Sequence, residues 1–270
     1  MPFMRVGDAS LAYDVEGAGP PVVLLHAGIA DRGMWRPVSA ALADRYRVLR
    51  YDLRGYGESG LPAEPFAHHD DVVGVLDGLG IDRAALVGCS FGGRVALDAA
   101  LAHGDRVAAL VLVGSGVSGH EWSAAADALW DRIAGDVDED DLDALAAAEV
   151  RYWVVGPERE PADVDPALLA LAATMDRRAL AAEAALERVD VRALDPPALG
   201  RLAEVGVPAL AAAGAADLPD IRALADRLAA EIPHGRRLPD IPGAAHLLPL
   251  ERPEPLAAAI TAFLAEVAHR

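Results

Sequence analysis

A short apolar run, Ala84-Ala85-Leu86-Val87, is followed at once by Gly88-Cys89-Ser90-Phe91-Gly92-Gly93 and then by a segment, 94–101, with apolar residues three and four apart. The flanking patterns predict a buried strand and a helix, so the chain must turn from one into the other within a few residues. Such a turn crowds its own neighbours and forces its central residue into a sparsely populated backbone region. Gly88 and Gly92 carry no Cβ to clash, which leaves Ser90 standing exposed at the edge of the sheet. The helix that starts there directs free N–H groups and a partial positive charge at an oxyanion formed beside Ser90. A structural serine in a glycine-rich turn is the plainer alternative, but the strand and helix on either side favour Ser90 as a nucleophile.

The rest of the chain builds a sheet around that turn. Residues 10–15 alternate as an amphipathic strand, 17–21 form a turn, and Val22-Val23-Leu24-Leu25 reads as a buried strand. A helix over 34–43 precedes a strand near 48–52, and the polar, glycine-rich stretch 52–59 follows as a tight loop. A helix over 70–79, capped by Gly80, leads to the turn at Ser90, and Val107 to Val113 is another buried strand. Strands alternating with helices at this spacing predict an α/β fold with a mostly parallel, doubly covered sheet. From 117 to 206 the pattern breaks into helical runs, 121–133, 141–155 and 167–189, and Asp195-Pro196-Pro197 closes them. The expected organisation is therefore a core over 1–116, a helical lid over 117–195 and a second part of the core over 196–270. The core resumes with a strand at 207–213, a helix near 221–232, a short strand about 237–241 and a closing helix over 255–268.

Composition narrows the partners. Net charge is −18, which argues against nucleic acid or an anionic membrane. The chain has no Lys, Asn or Gln, a bias expected of a GC-rich bacterial coding sequence. Cys89 is the single cysteine, so no internal disulfide can form and a reducing cytoplasm fits. It is read as a small buried packing residue pointing away from the nucleophile. Residues 1–7 hold no apolar core of signal-peptide length, and no early apolar run could span a bilayer. Gly55-Tyr56-Gly57 lacks the spacing of a dinucleotide site, and no metal cluster or phosphate loop is visible. A cytoplasmic protein acting on a small molecule without cofactor or metal is expected; the oligomeric state stays open.

Five landmarks stand in order: His26-Ala27-Gly28, the stretch 52–59, the turn at Ser90, Gly214-Ala215-Ala216-Asp217 and Gly243-Ala244-Ala245-His246. On these the sequence resembles the α/β-hydrolase superfamily in its lidded form, over nearly the whole chain outside the lid. The resemblance implies a triad in the order nucleophile, acid, histidine, here Ser90, Asp217 and His246. Ser90 would attack a carbonyl, His246 would carry the proton, and Asp217, with Asp220 as the alternative, would hold the imidazole. It also implies an oxyanion hole from the N–H of Phe91 and that of Gly28, with Ile29 as the alternative donor and Ala27 departing from the family's usual Gly. His26 is expected to brace its loop, and the charges of 52–59 to fix theirs.

A serine nucleophile suits acyl transfer to water, so a small carboxylic ester or lactone is the expected substrate. The rivals are a C–C bond hydrolase or lyase of small keto acids on the same triad, and a slow-turnover ligand receptor. Trp122, Trp130 and Trp153, with Tyr152, are the large aromatics of the lid and the candidates for a substrate pocket. Handling of anionic acids should show as arginine in the pocket, which makes Arg94 and Arg151 the residues to inspect; Arg94 is expected to face outward. His68 and His69 are expected at the surface or at a helix start, not on a metal, and His103, His120, His234 and His269 in solvent.

Overall fold

The structure is a computed structural model that describes residues 2–61, 64–138 and 140–269; Met1, Pro62, Ala63, Glu139 and Arg270 lie outside it. Eight strands form one sheet in the order β1-β2-β4-β3-β5-β6-β7-β8. They are β1 Phe3–Val6, β2 Ala9–Glu16, β3 Pro21–Leu25, β4 Arg47–Tyr51, β5 Ala84–Cys89, β6 Val107–Val113, β7 Ala209–Ala212 and β8 Gly235–Arg237. β1–β2 and β2–β4 pair antiparallel, and the other five pairings are parallel. The central strands are apolar throughout because both faces are covered. In β3, Val23 and Leu25 pack on one side with α2 (His68–Gly78), α3 (Phe91–Ala102) and α7 (Pro219–Glu231). Val22 and Leu24 pack on the other side with α1 (Arg36–Leu42), α8 (Leu248–Glu251) and α9 (Pro253–Ala268). The period of two in the strand thus feeds two separate cores.

Between β6 and β7 the chain forms α4 (Ala124–Ala134), α5 (Leu142–Glu149), a π-helical turn over Val150–Val155, and α6 (Pro166–Leu186). The expected single helix over 141–155 therefore ends early. Ala146 and Ala148 let α5 pack against α6, whereas Val150, Tyr152, Val154 and Val155 are all buried, and the wider turn brings each of them inward. Three other expectations shift. The first strand, Phe3–Val6, lies ahead of the one expected at 10–15. α2 begins at His68 rather than Asp70. The strand expected at 237–241 is Gly235–Arg237: Leu238 N–H donates to Ala211 O at 2.9 Å, Pro239 has no N–H to continue the ladder, and Ile241 returns as an isolated bridge to Gly214. No helix of the described residues is long and apolar enough to cross a membrane.

The loop over 52–59 is held by ion pairs, as expected. Arg32 binds Asp52, Asp14 at 3.0 Å and Glu58 at 2.6 Å, while Arg54 meets Asp71 at 2.5 Å and Asp8 at 2.7 Å. Asp52 also accepts the N–H of Arg32 at 2.8 Å and of Glu58 at 2.9 Å. Arg32, Arg54, Asp52 and Asp71 are buried, and the network stands where β4 ends and fixes the strand ends that carry the site.

Candidate active site

Ser90 has φ 53° and ψ −115°, the one positive φ outside glycine among the described residues. A residue held there stores on the order of 1–3 kcal/mol of strain, which the surrounding backbone must impose. Its N–H donates to Val113 O at 3.0 Å, and its carbonyl accepts from Arg94 and Gly116 N–H, each at 3.1 Å. A Cβ on Gly88 would stand 2.2 Å from Gly92 O, and one on Gly92 would stand 2.3 Å from Leu25 O. Both positions therefore exclude any side chain, and the serine between them stays partly open.

At the carboxyl ends of β7 and the strand edge beyond it, two loops are tied together by Ala216 N–H to Ala244 O at 2.9 Å and Ala215 N–H to Ile241 O at 3.0 Å. They bring Asp217 and His246 into contact. Asp217 Oδ2 and Oδ1 lie 3.0 and 3.2 Å from His246 Nδ1, and both residues are buried. An ionised carboxylate only accepts, so Nδ1 carries the proton and the lone pair is on Nε2. Nε2 is buried and without a partner. Asp220 serves elsewhere: its carboxylate accepts the N–H and the Oγ–H of Ser123, each at 2.8 Å, and so ties the start of α4 to α7. Gly114, at φ 49°, makes room for the pair, since a Cβ there would lie 3.3 Å from Asp217 Oδ2 and 3.4 Å from His246 Nδ1. Cys89 is buried as expected, and its thiol meets His246 O at 3.6 Å.

Beside Ser90 lies the turn after β3, closed by Ala30 N–H to Ala27 O at 3.1 Å. His26 braces it: Nδ1–H donates to Ala27 O at 2.8 Å, and Nε2 accepts Leu53 N–H at 2.9 Å. Full burial pushes the His26 pKa down, which keeps it neutral in that role. Gly28 is partly open whereas Ile29 is buried. A Cβ on Gly28 would lie 3.7 Å from Phe91 Cβ and 3.8 Å from Glu183 Oε1, so the turn, the start of α3 and α6 converge here.

The helical segment covers His246 directly. Trp153 of the π-helical turn lies over the imidazole with ring centres 4.4 Å apart and planes 32° apart. The same turn is anchored to the His246 loop through Arg159, which donates to Val154 O at 2.6 Å and pairs with Glu251 at 2.8 Å, while Glu251 accepts Ala245 N–H at 2.9 Å. Trp122, Trp130, Tyr152 and Trp153 line one recess of about 250 Å³ together with Asp127 and Glu149. The three predicted pocket tryptophans are thus brought together.

Acidic groups missed in the sequence stand behind them. Asp176 is 1 % exposed with Oδ2 unpartnered, and burial, then Glu149 and Glu183, push its pKa up to about 9. Burial and the charge of Glu183 raise Glu149 to about 7. Glu183 accepts the Tyr56 hydroxyl at 2.9 Å. Asp176 and Glu183 are seven apart on α6, hence on one helix face, which is the only trace the cluster leaves in sequence.

Of the arginines to inspect, Arg151 donates to Gly156 O at 2.6 Å and so holds the end of the π-helical turn. Arg94 lines a separate cavity of about 150 Å³ with His68, Phe91 and Arg192 among its walls, and lies 3.7 Å from Asp98, so it does not simply face outward. His234 and His269 are exposed as expected, and His68 opens α2, but two histidines are more enclosed than expected. His68 is buried edge-on against Phe91 and Phe66, with its pKa lowered to about 3 by burial. His103 pairs with Asp70 at 2.7 Å, and His120 packs on Trp122 with its buried Nε2 3.9 Å from Asp220. No group of three metal-ligating side chains occurs among the described residues.

A strained serine at the end of a central strand, a buried acid–histidine pair at neighbouring strand ends and an eight-stranded, mostly parallel sheet define an α/β-hydrolase. The family model for the alpha/beta hydrolase fold matches residues 20–253, and the chain belongs to that family. Among curated relatives, the chain is 40 % identical over 117 residues to RutD of Azorhizobium caulinodans, whose name provisionally assigns it carbamate hydrolysis, covering 42 % of this chain and 44 % of that one. It is also 40 % identical over 121 residues to 2-hydroxymuconate semialdehyde hydrolase of Pseudomonas sp. CF600, covering 42 % and 43 %. Each match thus spans less than half of the relative's length. Among solved structures, the enol-lactonase of Burkholderia xenovorans LB400 is similar with a TM-score of 0.77 and 28 % identity, over 98 % of this chain and all of that one.

Proposed function

We propose that this protein is a serine hydrolase that cleaves a small carboxylic ester or lactone. The observation that carries the reading is the orientation of His246: its Nδ1 is held by the buried Asp217 carboxylate while Nε2 is left without a partner. Ser90 Oγ attacks the substrate carbonyl as Nε2 takes its proton, and Asp217 stabilises the imidazolium that results. Charge develops on the carbonyl oxygen between the N–H of Phe91 and that of Gly28. Neither donates elsewhere in the described residues: Phe91 N–H opens α3. Collapse expels the alcohol, which receives the proton from His246. Water then attacks the acyl-enzyme with His246 again as base and releases the acid.

Similarity to an enol-lactonase along the whole chain supports C–O cleavage. Similarity to a semialdehyde hydrolase favours C–C cleavage. The side chains facing the recess beside His246 weigh against an acidic substrate there, since Asp127 and Glu149 line it and Arg151 is committed to Gly156.

Intact-mass measurement after treatment with a fluorophosphonate, beside p-nitrophenyl acetate turnover, tests the reading. One adduct on the wild type, none on Ser90→Ala, and loss of turnover in that variant are expected. A folded wild type that takes no adduct and turns over no ester would overturn it.

A further inference from the structure

The aromatic recess has a composition that selects for charge. Its walls are Trp122, Trp130, Tyr152, Trp153, Asp127 and Glu149, and no basic residue contributes. The rings meet edge to face in a continuous chain: Trp122 to Trp153 at 5.7 Å, Trp153 to Tyr152 at 4.8 Å, Tyr152 to Trp130 at 5.3 Å. Edge-to-face contacts alternate ring orientations, and an indole or phenol face is electronegative. Trp122 is 41 % exposed at this recess. Glu149 is half-buried in this wall, yet no described residue gives it a hydrogen bond or a cation. Tyr152 is already committed, its hydroxyl donating to Ala126 O at 3.2 Å. An anion here would face carboxylates and π-faces, and a neutral alkyl group would leave Glu149 uncompensated. A soft, apolar-shelled cation satisfies both features at once.

We propose that this recess is a subsite for a methylated ammonium group carried by the substrate. Trp153 borders the recess and also stacks on His246, so the ammonium would bind across this ring from the imidazole. The inference rests on the hydrolase reading and deepens it: the substrate is an ester whose alcohol or acyl part ends in a quaternary or dimethylated amine. Trp122, Trp130 and Trp153 supply cation–π contact, and Glu149 supplies the counter-charge.

The test compares acetylcholine with 3,3-dimethylbutyl acetate, which has the same shape without the charge. The cationic ester is expected to show kcat/KM at least about tenfold higher, the scale of one desolvated cation–π contact with a counter-ion. That ratio should fall toward one in Glu149→Gln and in Trp130→Leu; the first is nearly isosteric and guards against a misfolded second. Tetramethylammonium chloride, titrated into the Ser90→Ala protein, should quench tryptophan fluorescence saturably where neopentyl alcohol does not. Equal rates for the two esters, with p-nitrophenyl acetate still hydrolysed, would overturn the subsite and leave the hydrolase reading intact. Failure of all ester turnover and of fluorophosphonate labelling would overturn the hydrolase reading instead. In that case the tetramethylammonium titration alone decides the subsite, and no saturable quenching refutes it.

Discussion

Asp176 offers a direct measure of how the interior of the helical segment is charged. It is 1 % exposed, one of its oxygens has no partner, and Glu149 and Glu183 face it in place of a cation. Its pKa is raised from the ordinary carboxylate range to about 9. In the unfolded chain the same group ionises near pH 4. Between those values the folded protein holds a proton that the unfolded chain has lost, so stability is fully present at low pH and falls as pH rises toward 9. The slope is about 1.4 kcal/mol per pH unit for one proton, or roughly 3 kcal/mol between pH 5.5 and 7.5. Asp176→Asn removes the titration but keeps the shape. Its amide adds an offset that does not vary with pH, so the slope is the informative quantity. Urea unfolding followed by tryptophan fluorescence at pH 5.5, 6.5 and 7.5 should show the variant gaining on the wild type by about one kcal/mol or more per unit. Parallel stability profiles for the two proteins would refute the buried, proton-holding carboxyl.

Other expectations follow from single contacts. Asp217→Asn should lower kcat by about 10³–10⁴-fold with KM little changed, whereas Asp220→Asn, which loses only the tether to Ser123, should cost less than about tenfold; ester kinetics on both variants separate the acid from its neighbour. Gly114→Ala places a methyl 3.3 Å from Asp217 Oδ2 at a φ of 49°, and a displaced pair should reduce kcat by about 10²-fold, with circular dichroism reporting the fold. Arg54→Met leaves Asp71 buried beside no cation and should cost roughly 3–5 kcal/mol in urea unfolding, most of it recovered when Asp71→Leu is added.

The legible parts of this protein are those where sterics leave few choices. Gly88 and Gly92 could be read as bare because a strand and a helix meet around Ser90, and the 2.2 and 2.3 Å approaches are the cost a Cβ would meet. The buried strands announced themselves as unbroken apolar runs because both faces are covered. Asp217 and His246 lie 29 residues apart in the chain, and only the order of landmarks pointed to their pairing. The helical segment was legible as helix and little more. Its alanine-rich stretches carry weak phase, so neither the π-helical turn at Val150–Val155 nor the stacking of Trp153 on His246 left a periodic signal. Likewise, Glu149, Asp176 and Glu183 look like ordinary solvated charges, because nothing local distinguishes a glutamate that faces inward. His68 reads as a polar helix start, and its burial comes from Phe66 and Phe91, one near and one distant in sequence.

Several buried polar atoms of this fold that lack a hydrogen-bond partner lie against aromatic rings. Among the described residues, the buried side-chain atoms without a hydrogen-bond partner include His68 Nδ1, His120 Nε2, Asp176 Oδ2 and His246 Nε2. His246 lies under Trp153, His120 against Trp122, and His68 against Phe91. Asp176 interacts with Glu149 in the wall of the aromatic recess. An atom of this kind costs on the order of 1–3 kcal/mol when neither protein nor water satisfies it, and Ser90 carries backbone strain of its own. A core built for stability alone would have replaced these groups with apolar ones. Of these, His246 is the one that the proposed reaction uses. Glu183 Oε1 would lie 3.8 Å from a Cβ on Gly28, and Glu149 lines the aromatic recess with Trp153, so carboxyl groups approach the proposed site from two sides. A substrate that brings its own positive charge would favour their ionised forms.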